Sequence, residues 1–483
     1  MNLKEACAEL VRIEAEYDVN SLEFNGIKIW PLIRHHVWFG LVGVRDQYKP
    51  QSTHSILPRT LAAKILGDIK GLIKRIYILF LERRKAEKDT EIVFMSRPVY
   101  LQRLVSGLRI DRIMDPIYFL CLHRLKAEKY YLGRNPGHKS LLFHGRRLIS
   151  IPRQPVSIGR DLTQKIYDVA RGSGMSPERL SADVATSLSE FLAWRAAAGR
   201  LFVRRPELRN LYVTSWYFPD MMGVVSAAKQ ADVEVCDVQH GKQGKFQGMY
   251  SWWTRIPESG YEMMPDKFWC WGEPSKRHIL ESCVHNDRHV PFVGGYPWMD
   301  YYRRFVARGT SHRDIDSRRN VLVTLQSPQG DHLEPIPKFI IDYLMTPGLS
   351  GVHFVFRCHP NYKSCLDYCR DVLGAVPTEL YSISDGAENL YDELLGASHH
   401  MTAYSSCCYE ASVFGVPTLL FGEDARSIYE EEIRSGEFSW TRGSVDELAA
   451  WLSRDNGTEN HPRVRDGYIQ ASLEAAAQIV CEN

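Results

Sequence analysis

The stretch HHMTAYSSCCYEASVFGVPTLLFG, residues 399–422, decides the fold. HHMTAYSS (399–406) reads as a strand ending in a turn, CCYEASVFG (407–415) as a helix stopped by Gly415, and VPTLLFG (416–422) as the next strand. A helix between two short apolar runs makes those runs parallel neighbours in an α/β sheet. The same grammar extends upstream. RRNVLVTLQ (318–326) is a strand ending in polar residues, EPIPKFIIDYLM (334–345) a helix opened by prolines, and VHFVFRCHP (352–360) another strand. Downstream, SVDELAAWLSR (444–454) is a helix with Ser444 placed to cap it and Glu447 three residues on. DGYIQASLEAAAQIV follows as a terminal helix.

An earlier series repeats the pattern: EIVFMS (91–96), LRNLYVTS (208–215), VEVCDVQ (233–239) and DKFWCWG (266–272), after which HVPFVGGYPWMDYY (289–302) reads as the connection to the next domain. The 483 residues are too many for one compact core, and two domains is the ordinary division. The expected architecture is α/β with two Rossmann-like domains, spanning 91–300 and 301–460, facing a cleft. A helical segment precedes them (1–90) and a terminal helix closes the chain (461–483). In such sheets ligands sit at the carboxyl ends of the strands.

Composition narrows the function. The 60 Lys+Arg nearly cancel the 58 Asp+Glu, so a global electrostatic argument for nucleic acid fails and any anion site is local. Eleven Cys, with no CxxC pair and no regular spacing, read as reduced, buried cysteine. MNLKEACAEL has acidic residues where a signal peptide needs basic ones, and no stretch has the ~18 charge-free apolar residues of a spanning helix, so a cytoplasmic location is expected. Leu3, Ala6, Leu10 and Ile13 recur at helical spacing before a turn at Asn25-Gly26. In residues 56–88, Leu61, Ile65, Leu66, Ile69, Leu72 and Ile76 share a face while Lys64, Lys70, Lys74 and Arg75 interleave. That segment reads either as a helix lying in the inner face of a membrane or as one packed on its own domain.

Three strand ends carry chemistry. FRCHP places Arg357 and His359 two residues apart, on one side of an extended chain, and a guanidinium beside an imidazole makes an anion site. The plain alternative is a surface Arg and a core His. In TAYSSCCYEASVFGVP (402–417), Ser405 and Ser406 stand where a strand turns into a helix, ready to cap it or to meet a phosphate. Glu410, one turn on, is placed to accept from ribose hydroxyls, and Gln326 ends the neighbouring strand. In DVQHGKQGKFQGMY (237–250), His240 stands at a strand end as a candidate general base, or as a loop brace. Gly241, Gly244 and Gly248 allow a tight turn and close approach of a substrate. Gln239, Lys242 and Lys245 are candidate contacts to a donor phosphate or an acidic acceptor.

The order of QHG loop, HP motif and Ser-Ser motif resembles that of GT-B enzymes using cytidine-nucleotide donors. These are bacterial sialyl- and polysialyltransferases, β-Kdo transferases of capsule and O-antigen synthesis, and teichoic-acid glycerophosphate polymerases. The resemblance covers roughly residues 208–425. It implies a glycosyltransferase with His359-Pro360 and Ser405-Ser406 holding the donor phosphate. Its first-choice donor is a CMP-linked ulosonic acid such as Kdo, and its acceptor a capsule, lipopolysaccharide or related surface glycan. In the glycerophosphate polymerases a His-Gly pair supplies the base, matching His240-Gly241. In the sialyltransferases an acidic pair stands there, which this chain lacks. Retaining β-Kdo transferases imply a carboxylate, for which Asp220, Asp232 and Asp237 are candidates and Asp237 the preferred one. CDP-glycerol-type polyol-phosphate transfer, or a non-catalytic nucleotide-sugar-binding subunit, are the alternatives.

A metal-independent reaction without cofactor is expected. His399-His400 near Cys407-Cys408 fits no common zinc spacing, and the two histidines point to opposite faces of a strand. No P-loop, GxGxxG loop or nucleophile elbow follows a predicted strand.

Overall fold

The computed structural model describes residues 1–43, 89–103, 108–121, 126–133, 145–241, 243, 245–284, 287–302, 304, 319–328, 334–359, 362, 364–386, 389–454, 469 and 473–482. The basic amphipathic stretch 56–88, Lys242, Gly244 and Pro360 lie outside the described residues.

Two parallel sheets organise the chain. The first contains β1 (Ile92–Ser96), β2 (Ala127–Leu132), β3 (Arg146–Leu148), β4 (Asn210–Val213), β5 (Glu234–Val238), β6 (Lys267–Cys270) and β7 (Val290–Val293). Their order is β7-β6-β5-β4-β1-β2-β3, all parallel. The second contains β8 (Arg319–Thr324), β9 (Val352–Arg357), β10 (Tyr381–Ser384), β11 (His399–Thr402), β12 (Thr418–Phe421) and β13 (Ser439–Thr441), ordered β10-β9-β8-β11-β12-β13 and again parallel throughout. Both sheets are doubly wound, and each reverses direction once: between β1 and β4, and between β8 and β11.

Apolar runs form the central strands because helices cover both faces; every residue of β1 and of β11 is buried. β2 escapes that signal. Its sequence AEKYYL carries Glu128 and Lys129, yet both are buried. Glu128 is paired with Arg205 (2.6 Å) and Arg146 (2.5 Å), and Lys129 with Asp115, so the charges enter the sheet only as compensated pairs.

The first 43 residues belong to the core of the first domain. Helix α1 (Leu3–Glu16) opens with a reciprocal cap between Asn2 and Glu5 and buries Ala6, Leu10 and Ile13. A tight Asn25-Gly26 turn, both residues at positive φ, joins Glu23–Phe24 to Ile27–Lys28 and leads into α2 (Trp30–Leu41). Between the two helices Glu14 and Arg34 form an ion pair with no solvent exposure. Both partners make further hydrogen bonds. Glu14 accepts from the Trp30 indole (2.8 Å) and from the Thr254 backbone N–H and hydroxyl (2.7 Å each). Arg34 donates to the carbonyls of Gly248 (3.0 Å), Ser251 (3.1 Å) and Trp252 (2.9 Å) and lies over the Trp253 ring. The pair thus ties the N-terminal helices to the loop that follows His240. Gly248 meets them at close range: a Cβ there would lie 2.5 Å from the Trp38 ring and 2.8 Å from Leu10. Gly248 therefore makes room for α1 and α2, not for a substrate.

The terminal helix Leu473–Glu482 returns to the first domain, where the Leu473 N–H donates to Asp300 (3.1 Å) and Ala476 and Val480 join a core with Ile117, Cys121 and Trp298. An aromatic seam joins the domains: Tyr391 of the second lies 5.9 Å from the ring of Trp298 and 5.0 Å from that of Tyr302. Among the described residues no helix is long and apolar enough to cross a membrane.

Removing one partner of a fully desolvated pair leaves an uncompensated buried charge. Arg34→Ala is expected to lower unfolding stability by about 3–5 kcal/mol in urea denaturation, and Glu14→Leu with Arg34→Met to lose much less.

Candidate functional site

The carboxyl ends of the two sheets share one cleft of about 660 Å³. Its first-domain wall includes Tyr100, Arg112, Tyr217, His240 and Gly241; its second-domain wall includes Gln326, Arg357, His359, Ser405, Ser406 and Glu410. Leu3 and Trp38, Phe39 and Val42 of the N-terminal helices close one side with apolar surface.

His240 stands just beyond β5. Its Nε2 lies within hydrogen-bond distance of the hydroxyls of Ser215 (3.2 Å) and Tyr217 (3.3 Å), and its ring lies 5.3 Å from that of Tyr100. Ser215 holds φ +55, an uncommon conformation for a residue with a side chain, and its hydroxyl also meets that of Tyr100. Burial, followed by the charges of Arg112 and Arg97, pushes the His240 imidazole down to about 3. The ring is therefore neutral at pH 7. Arg97 is held beside it by Asp220 and by the Phe218 ring, 4.5 Å from the guanidinium carbon.

Arg112 comes from the turn between Arg109–Asp111 and Asp115–Cys121. Asp111 fixes that turn by accepting from the N–H groups of Ile113 (3.1 Å) and Met114 (3.2 Å), while Asp115 accepts from Asp111 N–H (2.8 Å). The Arg112 guanidinium crosses the cleft to within 3.6 Å of Glu410 and keeps 23% of its side chain exposed. No sequence pattern singled it out: one arginine in an irregular turn, just after two short antiparallel strands, carries no periodic signal.

On the opposite wall, Arg357 ends β9 and His359 follows it. Arg357 is already engaged, with Glu393 at 2.6 Å and the Gly386 carbonyl at 3.1 Å. Gly386, at φ +76, must be glycine, since a Cβ would come within 2.5 Å of the Cys358 carbonyl. Burial and the charges of Arg112 and Arg357 lower the His359 imidazole to about 4. Ser405 caps its own turn, accepting from Cys407 N–H (3.2 Å), and the Tyr429 hydroxyl holds that turn by donating to the carbonyls of Tyr404 (3.0 Å) and Ser405 (2.9 Å). Ser406 makes no side-chain cap. Glu410 accepts from the Tyr391 hydroxyl (2.8 Å).

Other expected residues stand elsewhere. Asp237 is fully buried beneath the cleft, accepting from Trp216 N–H (3.1 Å) and the Tyr250 hydroxyl (2.8 Å), and burial raises it to about 8. It lies in the core beside the sheet and does not line the cleft, so the expectation of a cleft-facing carboxylate there is corrected. Asp232 sits exposed in a turn at φ +56. Gln239 is buried and braces the loop, accepting from Trp271 N–H (2.6 Å) and donating to the Gly241 carbonyl (2.8 Å), rather than meeting a ligand. Lys245 lies outside the cleft wall, its ammonium 5.8 Å from the Phe246 ring. Of the adjacent histidines, His400 lies between the hydroxyls of Thr324 (2.9 Å) and Thr418 (3.0 Å), and His399 beside Trp451.

No protein-family model matches the chain, and no curated protein matches it in sequence. Similar solved structures include the UDP-GlcNAc 2-epimerase from Neisseria meningitidis bound to UDP-GlcNAc (12% identity, 81% of this chain and 99% of that one, TM-score 0.50). The S. aureus MnaA–UDP co-structure is comparable (12% identity, 81% and 95%, TM-score 0.50). The wall teichoic acid polymerase TagF is also similar, at 12% identity, 86% and 96% coverage and TM-score 0.46. At these identities the likeness to the first two, each at TM-score 0.50, speaks for the fold alone. The chain has the GT-B architecture of two facing Rossmann-like domains with an added N-terminal helical element.

His240, His289 and His400 are all buried with pKa values pushed down to about 3 or 4. The unfolded chain takes up these protons near pH ~6.5, the folded one only far below, so stability is expected to fall as pH drops through that window. In histidine-selective NMR, His240 should stay neutral at pH ~5, and Arg112→Gln should raise its midpoint.

Proposed function

We propose that this chain is a glycosyltransferase that moves a sugar from a nucleotide donor, seated on the second domain, to an acceptor held by the first. One observation carries the reading: His240 faces the same cleft as Arg357, His359, Ser405, Ser406 and Glu410. In the reaction, an acceptor hydroxyl displaces Ser215 or Tyr217 at His240 Nε2 and gives up its proton as it attacks the anomeric carbon. The bond from that carbon to the phosphate oxygen breaks, and the nucleotide leaves with the electron pair, its charge met by Arg112 and the His359–Ser405 wall. Glu410 is assigned to the ribose hydroxyls, and Arg357 to shaping the phosphate wall through its pair with Glu393.

Burial is the main cause of the lowered His240 imidazole and Arg112 the next, so an anionic donor that neutralises Arg112 removes the charge-borne part of the shift and raises the imidazole.

A CMP-linked ulosonic acid is our first choice of donor, on the order of the three motifs. The acceptor is a surface glycan or glycolipid. The fold neighbours named for UDP or UDP-GlcNAc make uridine nucleotides the competing class. The His240-Gly241 pair also suits polyol-phosphate transfer from a CDP donor, which product mass separates from sugar transfer.

Calorimetric titration with CMP, CDP, UDP and GDP is the test. Cytidine nucleotides are expected to bind and the others to give no response; the reverse order removes the cytidine assignment. Arg112→Ala should weaken nucleotide binding by roughly 10- to 100-fold. His240→Ala should leave it within about twofold while lowering turnover by roughly 10²–10⁴. Turnover unchanged in His240→Ala would remove the base assignment.

A further inference from the structure

We propose that Cys358, Cys365 and Cys369 form a thiolate site for a thiophilic divalent cation, Zn²⁺ first, directly behind the His359 wall of the cleft. The three Sγ atoms lie within 4.8 Å of one another, and among the described residues this is the one cluster of three or more His, Cys, Asp or Glu ligand atoms. All three cysteines are buried, at 3%, 1% and 0% exposure.

Two independent elements bring them together. Cys358 follows the last residue of β9, while Cys365 and Cys369 are four apart on the helix Cys365–Val372, on one face one turn apart. Three sulfurs gathered this closely are the donor set of a soft cation. In a tetrahedral zinc thiolate the sulfurs stand roughly 3.8 Å apart, given a Zn–S bond of about 2.3 Å, so the cluster needs only a small inward movement. No fourth protein ligand joins them among the described residues, so a water or hydroxide completes the tetrahedron.

Binding balances simply. Three S–Zn bonds form as three S–H protons pass to solvent, and no redox partner is needed. The consequence is mechanical. The segment between Cys358 and Cys365 begins with His359, and a shared cation fastens both its ends. The bound metal would act by positioning and would not touch the donor.

The test uses the full chain purified under reducing conditions. Elemental analysis is expected to give one Zn²⁺ per chain, or the metal-stripped protein to take up one equivalent against a chromophoric chelator. Co²⁺ in its place should give sulfur-to-cobalt charge-transfer absorption. Cys369→Ser and Cys365→Ser should each weaken binding by roughly 100-fold. Should those variants fail to fold, alkylation of the native wild-type chain decides: Zn²⁺ must slow modification of these three cysteines and of no others. Absent stoichiometric metal with no cobalt–sulfur band, affinity unchanged in both variants, a disulfide within the trio, or alkylation indifferent to Zn²⁺ would each overturn the proposal.

Discussion

A doubly wound sheet has one place where its strand order reverses, and there the loops part and leave a crevice. This chain builds two such sheets and turns the two crevices toward each other. Everything at the candidate site follows from that constraint. Tyr100 lies beyond β1, Tyr217 beyond β4, His240 beyond β5, Gln326 beyond β8, and Ser405 beyond β11. None of them is near another in sequence across the domains, yet all line one hollow.

Electrostatics sharpen the arrangement. Arg112 reaches from the first domain to Glu410 of the second, while His240 and His359 on opposite walls are both kept neutral by burial and neighbouring guanidiniums. A cleft lined by guanidiniums and neutral imidazoles suits a ligand that brings negative charge. The N-terminal helices add rigidity: the buried Glu14–Arg34 pair holds the loop after His240 from behind. Their aromatic side chains also give the cleft an apolar flank that a bare pair of Rossmann-like domains lacks.

Much of the fold was legible because central parallel strands advertise themselves as apolar runs. IVFMS, NLYV, NVLVT and TLLF all stand within a residue or two of their expected positions. Strands that carry paired charges or lie at edges did not advertise themselves: AEKYYL hides Glu128 and Lys129 in ion pairs, and Ser439–Thr441 is too short to show a period. Strand-end position put His240, His359, Ser405 and Glu410 on the cleft wall. It misled for Asp237 and Gln239, because alternation along a strand sends neighbouring side chains to opposite faces and only the tertiary fold says which face is cleft. Arg112 was invisible for the opposite reason, since its turn has no regular period at all. The thiol cluster was equally hidden, being made by a strand end and a helix that meet only in the folded domain.

The most direct measurement is a crystal structure with CMP bound. The phosphate is expected between Arg112 and the His359–Ser405 turns, with the ribose toward Glu410 and His240 facing the site across the gap. A nucleotide seated on any other surface, with the 240–359 cleft left empty, would contradict that placement.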